Sequence, residues 1–79
     1  MIVKIYSTPA CHYCKIAKAF LTENNVPFED IDVVKDEAAK LFIMEKTGRI
    51  AVPMICVDNI CMLGYDESAL KAALHLPER

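Results

Sequence analysis

The four cysteines of this chain have the most chemistry to offer, and they come as two pairs, Cys11/Cys14 and Cys56/Cys61. In Cys11-His12-Tyr13-Cys14, two thiols three residues apart can close a small ring and reopen it by exchange with another disulfide. A Cys-x-x-Cys pair is also half of a zinc site. Zinc needs a second ligand pair of similar form. Cys56 and Cys61 are spaced by four residues, however, and His12 and His75 are far apart in sequence. Redox chemistry is the expectation.

The flanks supply a mechanism. Met1 to Tyr6 is β-branched and apolar enough for a buried strand, and Ser7-Thr8-Pro9-Ala10 breaks it as a short loop. Lys15 to Glu23 reads as an amphipathic helix, with Ile16, Ala19, Phe20 and Glu23 at turn-by-turn spacing. Cys11 then falls at the mouth of a helix, where unpaired backbone N–H groups stabilise an anion. The thiolate is such an anion, and it is the nucleophilic form of cysteine.

The second pair has a different logic. Asp58-Asn59 has the chemistry of a two-residue hairpin turn, flanked by strands Pro53 to Val57 and Ile60 to Leu63. Cys56 then faces Cys61 across the ladder, with Cα atoms about 4.5–5.5 Å apart, inside the ~4.4–6.8 Å range of a disulfide. The pair can bridge under oxidation. In a reducing compartment the two thiols are expected to stay reduced and to pack as small apolar groups.

Composition narrows the class. Residues 1–79 suit one domain, and with 54% of them apolar a core needs no staples. A net charge of −2 argues against nucleic acid as a partner. The N-terminus passes directly into a strand without the pattern of a signal peptide, and no apolar run approaches a membrane span. A cytoplasmic, membrane-free, monomeric protein is expected. Lys4, Lys15 and Lys18 gather near the first pair in sequence, while Glu29, Asp30, Asp32, Asp36 and Glu37 cluster later. A solvated face accounts for the lysines more simply than a basic rim around Cys11.

The remaining elements follow in order. Asn24-Asn25-Val26-Pro27 stops the first helix. Phe28 to Val34 reads as a strand with Phe28, Ile31 and Val33 inward, so the strand–helix–strand unit implies a parallel pair. Asp36 to Thr47 reads as a helix with Ala38, Leu41, Phe42 and Glu45 as its inner stripe and Met44 alongside. Ile43 is placed at the margin, and Gly48 ends the helix. Arg49 to Val52 connects. The last helix runs from Glu67 to Leu76 with Leu70, Ala73 and Leu74 inside, and Pro77 ends it. The order β-α-β-α-β-β-α suits an α/β protein with a four-stranded mixed sheet flanked by three helices.

Three landmarks make the chain resemble the glutaredoxins, within the thioredoxin-fold superfamily, over nearly its whole length. They are Cys-x-Tyr-Cys at 11–14, Thr47-Gly48-Arg49 followed by Val52-Pro53, and Gly64-Tyr65-Asp66 at the start of the last helix. The resemblance implies a cis Val52–Pro53 peptide facing Cys11, with the Val52 backbone pairing with that of a bound glutathione or peptide. It implies that the Gly64 region receives a carboxylate at a helix start and that Asp66 receives an amino group. Tyr13 and Tyr65 would flank the ligand. Three positions depart from the family pattern. His12 stands where dithiol members usually have proline; it either favours the Cys11 thiolate as imidazolium or faces water. Ala51 replaces a threonine. Leu63-Gly64 replaces Gly-Gly and crowds the place of glutathione's γ-glutamyl end.

The implied activity is thiol–disulfide exchange. Cys11 attacks a substrate disulfide, Cys14 resolves the mixed disulfide, and glutathione or a flavoprotein disulfide reductase restores the dithiol. Disulfide-containing proteins are the expected substrates, with glutathione as co-substrate and no metal or organic cofactor. Rival expectations are a redoxin that serves ribonucleotide reductase and is recharged by thioredoxin reductase, a carrier bridging a [2Fe–2S] cluster, and a soft-metal binding module.

Overall fold

A computed structural model describes residues 1–76 of the chain. Seven elements follow in sequence: β1 (Val3–Ser7), α1 (His12–Glu23), β2 (Glu29–Asp32), α2 (Glu37–Thr47), β3 (Met54–Val57), β4 (Ile60–Leu63) and α3 (Glu67–Leu74). They form one four-stranded sheet in the order β2-β1-β3-β4. β1 is parallel to β2 and antiparallel to β3, and β3 is antiparallel to β4. The expected thioredoxin-like order and mixed sheet are both present.

Strand alternation divides the core in two. Val3 and Ile5 pair with Val57 and Ile55, and all four face Ala17, Phe20 and Leu21 of α1 and Leu70 and Leu74 of α3. Tyr6, Met54 and Cys56 point the other way, toward Ala39 and Ile43 of α2. Two helices thus cover one face and one helix covers the other. Only part of the second face is sealed. No helix among the described residues is long and apolar enough to cross a membrane.

Several expected inner stripes are displaced. In α1 the buried residues are Cys14, Ala17, Phe20 and Leu21. Ile16, Ala19 and Glu23 are exposed. The helix starts at His12, and Cys14 enters the core one turn below Cys11, which fixes the inward face. In α2 the fully buried residue is Ile43, which the sequence placed at the margin, together with Ala39. Phe42 packs beside them. Ala38, Leu41, Met44 and Glu45 are exposed. Apolar residues stand on every side of this helix, so periodicity alone does not select a face. β2 is shorter than the expected Phe28 to Val34; Ile31 within it and Val33 just after it do face α2, but Phe28, just before it, packs on the opposite core. Its even position places it across the pleat from them.

Turn residues match the chemistry expected of them. Gly48 takes the left-handed conformation (φ 80°) at the end of α2, where its N–H donates to Met44 O at 2.8 Å. Asp58 also adopts a positive φ of 53° in the β3–β4 turn. Its carboxylate accepts the Ile2 N–H at 2.7 Å, tying the chain start to the hairpin. α3 ends two residues earlier than expected, at Leu74 with His75 as a left-handed cap. The expected stop at Pro77 lies outside the described residues.

Candidate active site

Cys11 is the N-cap residue of α1, with extended backbone angles (φ −81°, ψ 113°). An N-cap residue normally uses a side-chain oxygen to accept an N–H from the first turn. α2 and α3 do this with aspartates: Asp36 accepts from Ala39 at 3.0 Å and Asp66 from Ala69 at 3.1 Å. In α1 the acceptor is sulfur. Cys11 Sγ accepts the Cys14 N–H at 3.1 Å, in the same three-residue relation. No acidic side chain occupies the first turn of α1, so nothing there opposes a negative sulfur. The site was legible as Cys-x-x-Cys before a helix, and the i to i+3 spacing also signals the cap.

The two sulfurs differ in access. Cys14 is fully buried, whereas Cys11 is half-buried. They are bonded to each other in this structure, with Cα atoms 5.2 Å apart. Such a pair can cycle between disulfide and dithiol, with the outer sulfur meeting the substrate and the inner one attacking from within the protein.

The Val52–Pro53 peptide is cis, as the family resemblance implied. β3 begins at Met54, so the Val52 backbone lies outside the ladder. Pro53 O accepts the Gly64 N–H at 2.7 Å, which joins the cis turn to the segment entering α3. Gly64 has φ 84°, a conformation that side-chain-bearing residues rarely adopt. Tyr13, Val52, Pro53, Gly64 and Tyr65 line one groove of about 320 Å³. Three stretches widely separated in sequence therefore share one surface beside the cysteines' helix.

His12, Leu63 and Asp66 are not part of that lining. His12 is exposed, with its ring edge-on to Tyr13 at 5.7 Å. Asp66 is exposed and commits one carboxylate oxygen to the α3 cap. Leu63 alternates onto the α2 side of β4 with Cys61 and is exposed. Tyr65 packs edge-on to Phe20, and its hydroxyl donates to Glu67 at 3.1 Å. Burial and the neighbouring Glu67 carboxylate push the Tyr65 hydroxyl up to about 12. It stays a neutral donor at ordinary pH.

The lysines do not form a common rim. Lys4 pairs in register with Cys56 and lines a second groove beside Cys56 and Cys61. Lys18 Nζ binds Asp30 at 2.9 Å, and Ser7 Oγ donates to the same carboxylate at 2.8 Å. This bridge between α1, β1 and β2 escapes sequence reading because its three members come from separate elements. Burial alone would raise the Asp30 carboxyl, but the hydrogen bonds from Lys18 and Ser7 and the Lys18 charge outweigh it and hold it below its ordinary value.

Residues 3–61 match the glutaredoxin family model. A glutaredoxin-like 8.6 kDa protein of the Clostridium pasteurianum rubredoxin operon is 30% identical over 69 residues, covering 87% of this chain and 92% of its own. Glutaredoxin 1 of Rickettsia felis is 42% identical over 64 residues, 78% of this chain and 63% of that protein. Among solved structures, the thioredoxin-like protein BC3987 superimposes with a TM-score of 0.81 at 31% identity, covering 90% of this chain and 97% of that one.

Proposed function

Since the chain belongs to the glutaredoxin family, we propose that it reduces disulfides through Cys11 and Cys14 and draws its electrons from glutathione. The observation that carries this reading is the helix cap made by sulfur. The Cys14 N–H points at Cys11 Sγ from the positive end of α1, while Cys14 itself is buried directly behind.

In the reduced protein the Cys11 thiolate attacks one sulfur of a substrate disulfide. A Cys11–substrate disulfide forms and the other substrate sulfur leaves as a thiolate. Cys14 then loses its proton and attacks Cys11 Sγ, which releases the second substrate thiolate and leaves the Cys11–Cys14 disulfide. Two glutathione thiols reverse the process and depart as glutathione disulfide. Val52 presents backbone groups to the extended ligand. Because the Gly64 N–H is already donated to Pro53 O, a ligand carboxylate would be met by the N–H groups of Tyr65 and Asp66. The second Asp66 oxygen remains for an ammonium group.

One feature favours a second reading, in which a flavoprotein reductase recharges the protein and ribonucleotide reductase receives the electrons. Leu63, 45% exposed, stands where the family pattern has the first glycine of Gly-Gly. A coupled assay decides between them, following NADPH oxidation with a mixed-disulfide substrate. Turnover through glutathione and glutathione reductase, with a gain in kcat/KM for glutathione in Leu63→Gly, supports the first reading. Turnover through thioredoxin reductase alone moves the protein to the second. Absence of turnover by both routes sinks each of them.

A further inference from the structure

The second cysteine pair lies in a groove of its own. β3 and β4 meet in the register Cys56↔Cys61 and Val57↔Ile60 around a two-residue turn. In such a hairpin the pair flanking the turn exchanges both hydrogen bonds, so Cys56 and Cys61 form the next, non-hydrogen-bonded pair, where side chains approach closest. The Asp58 N–H donates to Ile2 O, just ahead of β1, rather than to β4, as this alternation requires. The Cα atoms of Cys56 and Cys61 are 4.0 Å apart and the sulfurs are bonded.

This pair is not sealed in the core. Cys56 is 5% exposed, but Cys61 is half-buried on the edge strand. Both line a groove of about 500 Å³ on the part of the sheet that α2 leaves uncovered. Its aromatic wall is Tyr6 stacked on Phe42, with ring centroids 5.1 Å apart. Three charged side chains face it: Lys4, Lys46 and Asp58. Lys46 Nζ lies 5.5 Å above the Phe42 ring. Asp58 is engaged by the Ile2 N–H. The groove therefore offers two cations beside a thiol pair.

We propose that Cys56 and Cys61 are a second redox couple, separate from Cys11 and Cys14, and that the groove admits a small anionic disulfide of the glutathione-disulfide class as its oxidant. In the reduced pair the accessible Cys61 gives up its proton and attacks one sulfur of that disulfide. A Cys61 mixed disulfide forms and one anionic thiolate leaves. Cys56 then gives up its proton and attacks Cys61 Sγ. The Cys56–Cys61 bond closes, and the second small thiol departs. Two electrons have passed from the protein to the small disulfide, and the two protons go to solvent or to the released thiolates. Lys4 and Lys46 attract the carboxylates of the incoming molecule. The inference does not rest on the function proposed for the first pair.

Trypsin cleavage after Arg49 and Lys71 places both cysteines in one peptide, apart from Cys11 and Cys14. The test uses the full chain carrying Cys11→Ser, fully reduced and then exposed to glutathione disulfide or to neutral 2-hydroxyethyl disulfide at low ionic strength. Samples are quenched by alkylation and peptide-mapped. The expected result is an internal disulfide in the peptide spanning 50–71, preceded by a transient Cys61 adduct. Lys4→Gln with Lys46→Gln should slow its formation from glutathione disulfide about tenfold, with little change for the neutral reagent. These surface replacements leave the core intact, and circular dichroism checks the fold of each variant. Persistence of both thiols overturns the proposal. So does a cross-link whose rate is indifferent to the two lysines.

Discussion

The two cysteine pairs sit in backbones that treat sulfur in opposite ways. At Cys11 the chain has just left a loop and the first turn of α1 has spare N–H groups, one of which is donated to sulfur. Cys56 and Cys61 sit in a ladder. The Cys56 backbone groups are committed to β1, and nothing in the hairpin directs an N–H at either sulfur. A helix start thus stabilises the ionised thiol, which is the attacking form, whereas a strand pair only holds two sulfurs close together. Spacing in sequence says little about this difference. The first arrangement favours the attacking thiolate, and the second favours closure of a bond between neighbours.

The largest effect that would break the contrast is on turnover. Cys11→Ser should reduce disulfide reduction to the rate of free glutathione, while Cys56→Ala with Cys61→Ala leaves it unchanged. Steady-state assays of the two variants side by side provide the check. Loss of activity in the hairpin variant would mean that the pairs act in series.

Stability should show the reverse. Closing a loop of this size removes chain entropy worth about 2 kcal/mol from the unfolded state. The unfolding free energy from denaturant titration should therefore be lower by that amount in the hairpin variant than in oxidised wild type, and by much less when the two are compared under reductant. Equal midpoints in oxidising buffer would remove the staple from the comparison.

A smaller effect tests the bridge beneath the first site. Lys18→Met should cost under about 1 kcal/mol at neutral pH, since the pair is partly exposed. Its pH signature is more telling. The Asp30 carboxyl is held below its ordinary value. Its contribution is therefore present above the unfolded value near ~3.9 and is lost as pH falls through the lower folded value. The variant should have a flatter stability profile on the acid side, measured by thermal melts between neutral and acid pH. An unchanged acid limb would assign that dependence elsewhere.

The smallest expected change is spectroscopic, in the groove wall of the first site. Tyr65 should ionise at about 12. Glu67→Gln removes the negative charge but keeps an acceptor oxygen and the burial, so the midpoint should drop while staying above ~10. Ultraviolet titration of tyrosinate reads this directly. Because the folded value is raised, the contribution of Tyr65 to stability is complete below about 10 and disappears as pH rises toward the folded value. A Tyr65 midpoint unmoved by Glu67→Gln would show that the Glu67 charge does not set it.

Much of the molecule was legible from local pattern. Cys11 at a loop-to-helix boundary, the hairpin at Asp58-Asn59 and the stop at Gly48 each depend on a few adjacent residues whose backbone preferences are strong. Opposition of Cys56 and Cys61 followed from turn length alone, because strand register is counted outward from the turn. The cis Val52–Pro53 peptide was different: an X-Pro bond is usually trans, and only family resemblance pointed to cis.

Tertiary structure decided what adjacency cannot. It chose Ile43 over Leu41 as the buried face of α2, because an apolar residue on every side leaves the choice to the sheet beneath. It separated Lys4 from Cys11, since Lys4 lies near the start of β1 opposite Cys56, whereas Cys11 follows the loop beyond that strand's other end. It also brought Tyr13, Val52, Gly64 and Tyr65 to one groove, and left part of the sheet bare above Cys56 and Cys61. Short-range sequence selects backbone conformation because sterics and hydrogen bonds act between neighbours. Which surfaces meet depends on burying apolar area across the whole chain, and that is settled only when the layers pack.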